Sequence, residues 1–236
     1  MAPGAQEVEA FLLRLARLAW PRAQADLEES RRFALQELGL ADLMPWDMGF
    51  AAERLRRPRH APDSGEIRRH LPLDRVMAAP FDLVGDNLIA RMLGARQFQS
   101  GLGLLRQAEL ALFDPRLHAS AGGDNSPDPQ AVLEAVRDEI AVVRPPEWHR
   151  FAHAFSHIFA GGYAAGYYSY LWAERLSADA YAAFGEPGAD RAALGARFRD
   201  EVLARGGSRP AAQNFLAFRG RRPVDEPLLA NWGIAA

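Results

Sequence analysis

The sequence contains no cysteine, and every basic residue in it is arginine rather than lysine. The first absence removes disulfides, thiolate metal sites and cysteine nucleophiles together. The second removes Schiff-base chemistry, because arginine keeps its proton in any surroundings. A strong charge of one sign is also missing: 28 basic residues face 30 acidic ones, leaving −2. That balance attracts no polyanion and argues against nucleic acid as a partner. No apolar run is long enough to span a bilayer, so no membrane is expected as a partner. The opening MAPGAQEVEA has no basic region followed by an apolar stretch, which is not the pattern of a signal peptide. A soluble, cytoplasmic protein is expected. Nowhere do apolar and polar residues alternate over a sustained stretch, so a sheet-based fold is excluded.

What is present is an ordinary globular composition, 49% hydrophobic and 25% charged over 236 residues. A chain of this size buries a core without staples. The Arg-only, Ala-rich usage is the mark of a GC-rich coding genome. Helical periodicity dominates, and the expected fold class is mainly α. Val8, Phe11, Leu12, Leu15 and Leu18 form an amphipathic stripe that Pro21 interrupts or kinks, and that resumes through Leu27, Phe33, Ala34 and Leu38 until Gly39 stops it. A turn at Met44-Pro45-Trp46-Asp47 leads to a short helix with Phe50 and Leu55 on one side. From Arg56 to Pro80 the periodicity lapses into an Arg-, Pro- and His-rich stretch. Helical pattern then returns over Leu83–Phe113, Pro129–Val143, a long run Trp148–Phe184, Arg191–Arg205 and Ala211–Phe218. Asp128 or Ser126 is positioned to cap the helix that starts at Pro129. One helical domain over 1–236 is expected, with an N-terminal helical segment at 5–58, an irregular junction at 59–80 and a C-terminal helical segment at 81–236.

The densest chemistry lies between His149 and Glu174, in HRFAHAFSHIFAGGYAAGYYSYLWAE. His149, His153 and His157 stand four apart, which on a helix stacks them along one face. Histidines at i and i+4 can share a zinc ion, but the peptidase pattern needs a glutamate directly after the first. Arg150 and Ala154 occupy those places, so hydrogen bonding to neighbouring elements is the preferred reading. Gly161 and Gly162 either bring backbone close to a ligand or serve helix packing. Tyr163, Tyr167 and Tyr170 recur at i, i+4 and i+7. Periodicity alone places such an aromatic row in a core, although phenols can also stabilise an oxyanion.

This segment resembles the tyrosine- and glycine-rich loop region of the thimet oligopeptidase, oligopeptidase A and dipeptidyl carboxypeptidase family. GLLRQAELALFDPRLH (103–118) and FRDEVLARGGSRPAAQNFLAFRGRRPVDEPLL (198–229) resemble its flanking pieces. The opening from Val8 to Glu53, with Pro45-Trp46-Asp47, resembles a stretch upstream of its zinc helix. The resemblance implies a helical, zincin-like fold around a deep channel, and hydrolysis of short peptides by a zinc-activated water. It implies that Tyr167 and Tyr170 bind substrate and stabilise the tetrahedral intermediate. Tyr163, Gly161, Gly162, His153 and His157 are then substrate-binding positions, and the tyrosine row is functional rather than core. The family's HExxH segment is missing between the two resembling parts. His60 and His70 lie at the junction without a glutamate in the needed place.

The expectation is therefore a shortened member with no metal ligands, inactive alone, that keeps part of a peptide-binding wall. Its partners are short peptides and, over surfaces left uncovered, another protein chain. Two alternatives stand beside it. One is an active enzyme with a metal site rebuilt from His149, His153 or His157 and Glu147 or Glu174. The other is a helical interaction fragment without catalysis.

Overall fold

A computed structural model describes residues 4–60, 65, 68–69, 86–120 and 126–234. Among them are eleven α-helices and no strand, as the periodicity requires. His70 and most of the expected 59–80 junction lie outside the described residues.

Helix α1 (Ala5–Leu38) continues through Pro21, so the expected alternative of an interruption there is corrected. A proline inside a helix costs about 3 kcal/mol. Val8, Phe11, Leu12 and Leu15 before it and Ala23, Leu27 and Ala34 after it are all buried on one stripe. Burying each large apolar side chain returns about 1.5–3 kcal/mol, so the stripe outweighs the proline. Gly39 ends the helix in the left-handed conformation, φ 68°, as expected.

Helix α2 (Met48–His60) extends past Arg56 into the stretch expected to be irregular. Phe50 and Leu55 do not share a side: Leu55 is buried and Phe50 is 57% exposed. Five residues along a helix is well over a full turn, which carries the two side chains to different faces.

The expected continuous pattern from Leu83 to Phe113 is broken into α3 (Asp86–Arg96) and α4 (Ser100–Ser120). The break has a tertiary cause. Asp26, buried on α1, accepts hydrogen bonds from the N–H groups of Gly101 (3.0 Å) and Leu102 (3.4 Å). These are orphan donors of a helix start, satisfied from another helix rather than from the local sequence. Gln99, at φ 51°, makes the turn and donates to the Ser30 hydroxyl at 2.7 Å. Gly101 lies so close to α1 that a Cβ there would stand 2.4 Å from the Ala23 nitrogen.

Helix α5 (Pro129–Ile140) is capped by Asp128, whose carboxylate accepts the Gln130 N–H at 3.0 Å. The remaining helices are α6 (Phe151–Ala154), α7 (Ser156–Phe159), α8 (Ser169–Ala182), α9 (Arg191–Phe198), α10 (Ala211–Arg219) and α11 (Glu226–Asn231). The main core joins Phe11, Leu12 and Leu15 of α1 to Leu104, Ala108 and Leu112 of α4, with Leu171 of α8 and Leu228 of α11. A second cluster packs Phe113, Leu117 and Leu133 against Phe155 and Ile158, and this one carries the tyrosine-rich loop.

Candidate peptide-binding site

The run from Trp148 to Phe184 is not one helix. It breaks at Phe155, whose φ of −85° and ψ of 68° lie outside the helical region. The ring of Phe155 turns inward instead, 6.5 Å from Phe113 and 5.1 Å from Phe151. Burying this phenyl group recovers more than the helical bond it forgoes. After α7 the N–H groups of Ala160 and Gly161 both donate to the Ser156 carbonyl at 2.8 Å, and the chain leaves the helix. A Cβ at Gly161 would approach the His157 backbone to 2.9 Å, and Gly162 sits at φ 79°. Only glycine meets both demands without strain.

The expected row of tyrosines on a helical face is therefore corrected: Tyr163 and Tyr167 stand in a loop, and Tyr170 in the first turn of α8. The three rings nevertheless meet. Tyr163 and Tyr170 stack with centroids 5.4 Å apart, and Tyr167 stands edge-on to Tyr170 at 5.1 Å. Tyr167 is also edge-on to Phe155 at 5.1 Å, which ties the cluster to the core. His157 joins it, 6.1 Å from Tyr167 and 6.4 Å from Tyr163. Tyr163 and Tyr170 are 39% and 43% exposed, so their phenols face solvent on one side.

His149, His153 and His157 do not stack along one face, because His149 precedes the helix start at Phe151 and the break at Phe155 separates His153 from His157. His149 packs its ring on Phe151, His153 is exposed outside the ring cluster, and only His157 reaches the tyrosines. Among the described residues no group of three His, Asp or Glu side chains could hold a metal ion. A site rebuilt from these histidines with Glu147 or Glu174 finds no such grouping. Glu174 is committed elsewhere, accepting the Trp232 indole N–H at 2.9 Å. Its carboxyl is pushed above the usual range by burial, against the opposing effect of that hydrogen bond.

The phenols are shifted as well. Burial raises Tyr167, partly offset by the nearby Arg106 guanidinium. Tyr170 is raised first by hydrogen bonding with Tyr163 and then by desolvation. Both are therefore neutral hydrogen-bond donors at neutral pH. Such an array can donate to peptide carbonyls and stack on apolar side chains.

Residues that the sequence reading passed over hold the loop in place. Asp114, fully buried on α4, accepts the backbone N–H of Ala165 at 2.8 Å and of Tyr167 at 2.7 Å. The Nδ1 atom of His118 lies 2.9 Å from the same carboxylate. The Tyr167 hydroxyl points to Gln107 Oε1 at 3.4 Å. The signal available was an acidic residue directly after the apolar run LALF, which needs partners once buried. On the other flank of α4, Arg106 lies over the Phe151 ring at 4.4 Å and pairs with Glu109. Arg106 and Glu109 line a cavity of about 480 Å³ with Pro45, Met48 and Phe98. They also line an adjoining one of about 340 Å³ with Trp46 and Trp148.

Comparison with known proteins finds relatives of this chain. Oligopeptidase A of Salmonella typhimurium is 48% identical over 147 residues, which is 62% of this chain and 22% of that protein. Probable cytosolic oligopeptidase A of Arabidopsis thaliana is 43% identical over 155 residues, 64% of this chain and 22% of its own length. Dipeptidyl carboxypeptidase of Salmonella typhimurium is 36% identical over 156 residues, with shares of 63% and 22%. The matched stretch is thus under a quarter of the length of these relatives. The family model described as Peptidase family M3 matches in two stretches, residues 1–86 and 84–234. With both stretches covered, the chain belongs to peptidase family M3.

Proposed function

We propose that this chain binds short peptides through its tyrosine loop and does not hydrolyse them on its own. The observation that carries the reading is the convergence of Tyr163, Tyr167 and Tyr170 with His157 on one partly exposed surface. The phenols of Tyr167 and Tyr170 donate to carbonyls of the bound peptide, and Tyr163 stacks beside them. Gly161 and Gly162 let the backbone come close, and His153 and His157 stand at the rim. Family resemblance supports these roles, since oligopeptidase A is among the relatives.

Hydrolysis in this family relies on zinc held by protein ligands beside a water. A catalytic zinc takes three protein ligands. No HExxH occurs in the 236 residues, and the described residues bring no three suitable side chains together. The donor set among the described residues does not fit the ion.

Peptide binding is measured by calorimetry with unlabelled oligopeptides, alongside metal content and cleavage of a quenched peptide. Binding without turnover is the expected result. Stoichiometric zinc with chelator-sensitive turnover would overturn the reading. A cytoplasmic setting belongs to the same proposal, supported by the cytosolic relative, and cell fractionation reads it.

A second reading, association with another protein chain, draws on a different surface. Trp46 and Trp148 stack at 6.3 Å while 59% and 69% exposed, with Phe50 also uncovered. Large uncovered aromatics invite a partner. Light scattering that gives a clean monomer, unchanged by Trp148→Ser, would remove this reading.

A further inference from the structure

We infer that Asp114 is the positioning residue of the tyrosine loop, setting where Tyr167 presents its phenol. The inference rests on the peptide-binding reading and adds the residue that makes the site rigid. The loop between Ala160 and Tyr168 packs Tyr167 on Phe155 but has few main-chain anchors. Its own hydrogen bonds stay local, from Tyr163 to His157, Gly166 to Tyr163 and Ser169 to Gly166. The described backbone hydrogen bonds that tie it to another helix both end on Asp114, one on each carboxylate oxygen. They bracket Gly166 and so fix both the direction and the height of the turn. Between them the chain adopts a conformation it does not choose by itself: Ala165 stands at φ 53°, a left-handed value unfavourable for a residue with a Cβ. The tether holds that conformation because a fully buried carboxylate must keep its donors. His118 completes the arrangement, with Nδ1 within hydrogen-bonding distance of both the carboxylate (2.9 Å) and the main-chain carbonyl (2.8 Å) of Asp114. The acid acts through the loop and not on a substrate, since none of its surface is exposed.

Amide hydrogen exchange on the full chain, with peptide affinity by calorimetry, tests this in Asp114→Asn. The substitution keeps the shape but replaces one acceptor oxygen with a donor. Exchange at Ala165 and Tyr167 should accelerate about tenfold or more, and oligopeptide affinity should fall about ten- to a hundred-fold, the range of a lost charge-assisted bond. Ala165→Gly in that background should restore part of the affinity, because glycine accepts the left-handed turn untethered. Asp179→Asn, at another buried carboxylate, serves as the control for general destabilisation. Unchanged exchange at the two amides, or an equal affinity loss in the control at equal melting temperature, would overturn the inference. Should Asp114→Asn fail to fold, His118→Ala decides: faster exchange at Ala165 supports the tether, and no change sinks it. If the wild-type chain binds no peptide, the functional reading fails while the exchange measurements still decide the role of Asp114.

Discussion

The ring of Tyr170 lies 5.4 Å from that of Tyr163, 25° from parallel, across a non-helical loop. The neighbouring Tyr163 hydroxyl favours the neutral phenol of Tyr170, and burial favours the neutral phenol of Tyr167. The structure therefore holds phenol protons that the unfolded chain would release.

This has a pH signature. The ordinary tyrosine value is 10.0, and both residues are raised above it. Folding stability from these groups should be unaffected below pH 10 and decline as pH climbs from there through the raised values, because the unfolded chain loses protons first. Tyrosinate absorbance should show a fraction titrating late, and Tyr163→Phe should advance the Tyr170 component. A single titration at the ordinary value would contradict the pairing.

Tyr167→Phe separates binding from stability. The hydroxyl makes one long bond to Gln107, at 3.4 Å, so its loss should cost under about 1 kcal/mol of stability. Peptide affinity should fall about tenfold if the phenol donates to the peptide. A large drop in melting temperature without an affinity change would assign the hydroxyl to packing alone.

Gly101→Ala should destabilise strongly. The new methyl would meet main-chain atoms of Arg22 and Ala23, at 2.7 and 2.4 Å, which cannot rotate aside. Overpacking of this kind costs about 1–3 kcal/mol, and separating α1 from α4 adds to it. Urea unfolding measures it, and a wild-type midpoint would refute the close approach.

Asp179 predicts the acid limit. Although burial opposes its ionisation, hydrogen bonds from Arg221 and the Val224 N–H, with the charges of Arg221 and Arg219, hold its carboxyl below the ordinary 3.8. Its stabilising contribution is present above 3.8 and is lost as pH falls through the lower folded value. Asp179→Ala leaves buried Arg219 with Glu186 as its remaining carboxylate and frees the half-exposed Arg221, and should cost about 1–3 kcal/mol at neutral pH. Acid titration of the variant should lack this component, and an unaltered acid transition would count against it.

The helices were legible where burial repeats at helical spacing, as in α1, or where a cap is local, as at Asp128 and Gly39. They were misread where the deciding partner is remote in sequence. Asp26 starts α4 from seventy-five positions away, and Phe155 breaks a helix to reach a core formed by Phe113. The tyrosines were picked out by spacing for a reason that does not hold, since no helix aligns them. Family resemblance pointed to the same residues, and their convergence is made by the loop. Asp114 left only the trace of an acid directly after an apolar run, and its donors, Ala165 and Tyr167, cannot be named without the fold.

The close seat of Gly101 on Ala23 has a consequence for the connection between His60 and Asp86. Because α1 and α4 are clasped directly, that connection need only close a circuit whose ends are already held. Closure entropy rises slowly, by about 0.6 kcal/mol per doubling of length. Lengthening the connection between His60 and Asp86 would therefore weigh little against the bundle, whose packing does not depend on how much chain closes that circuit.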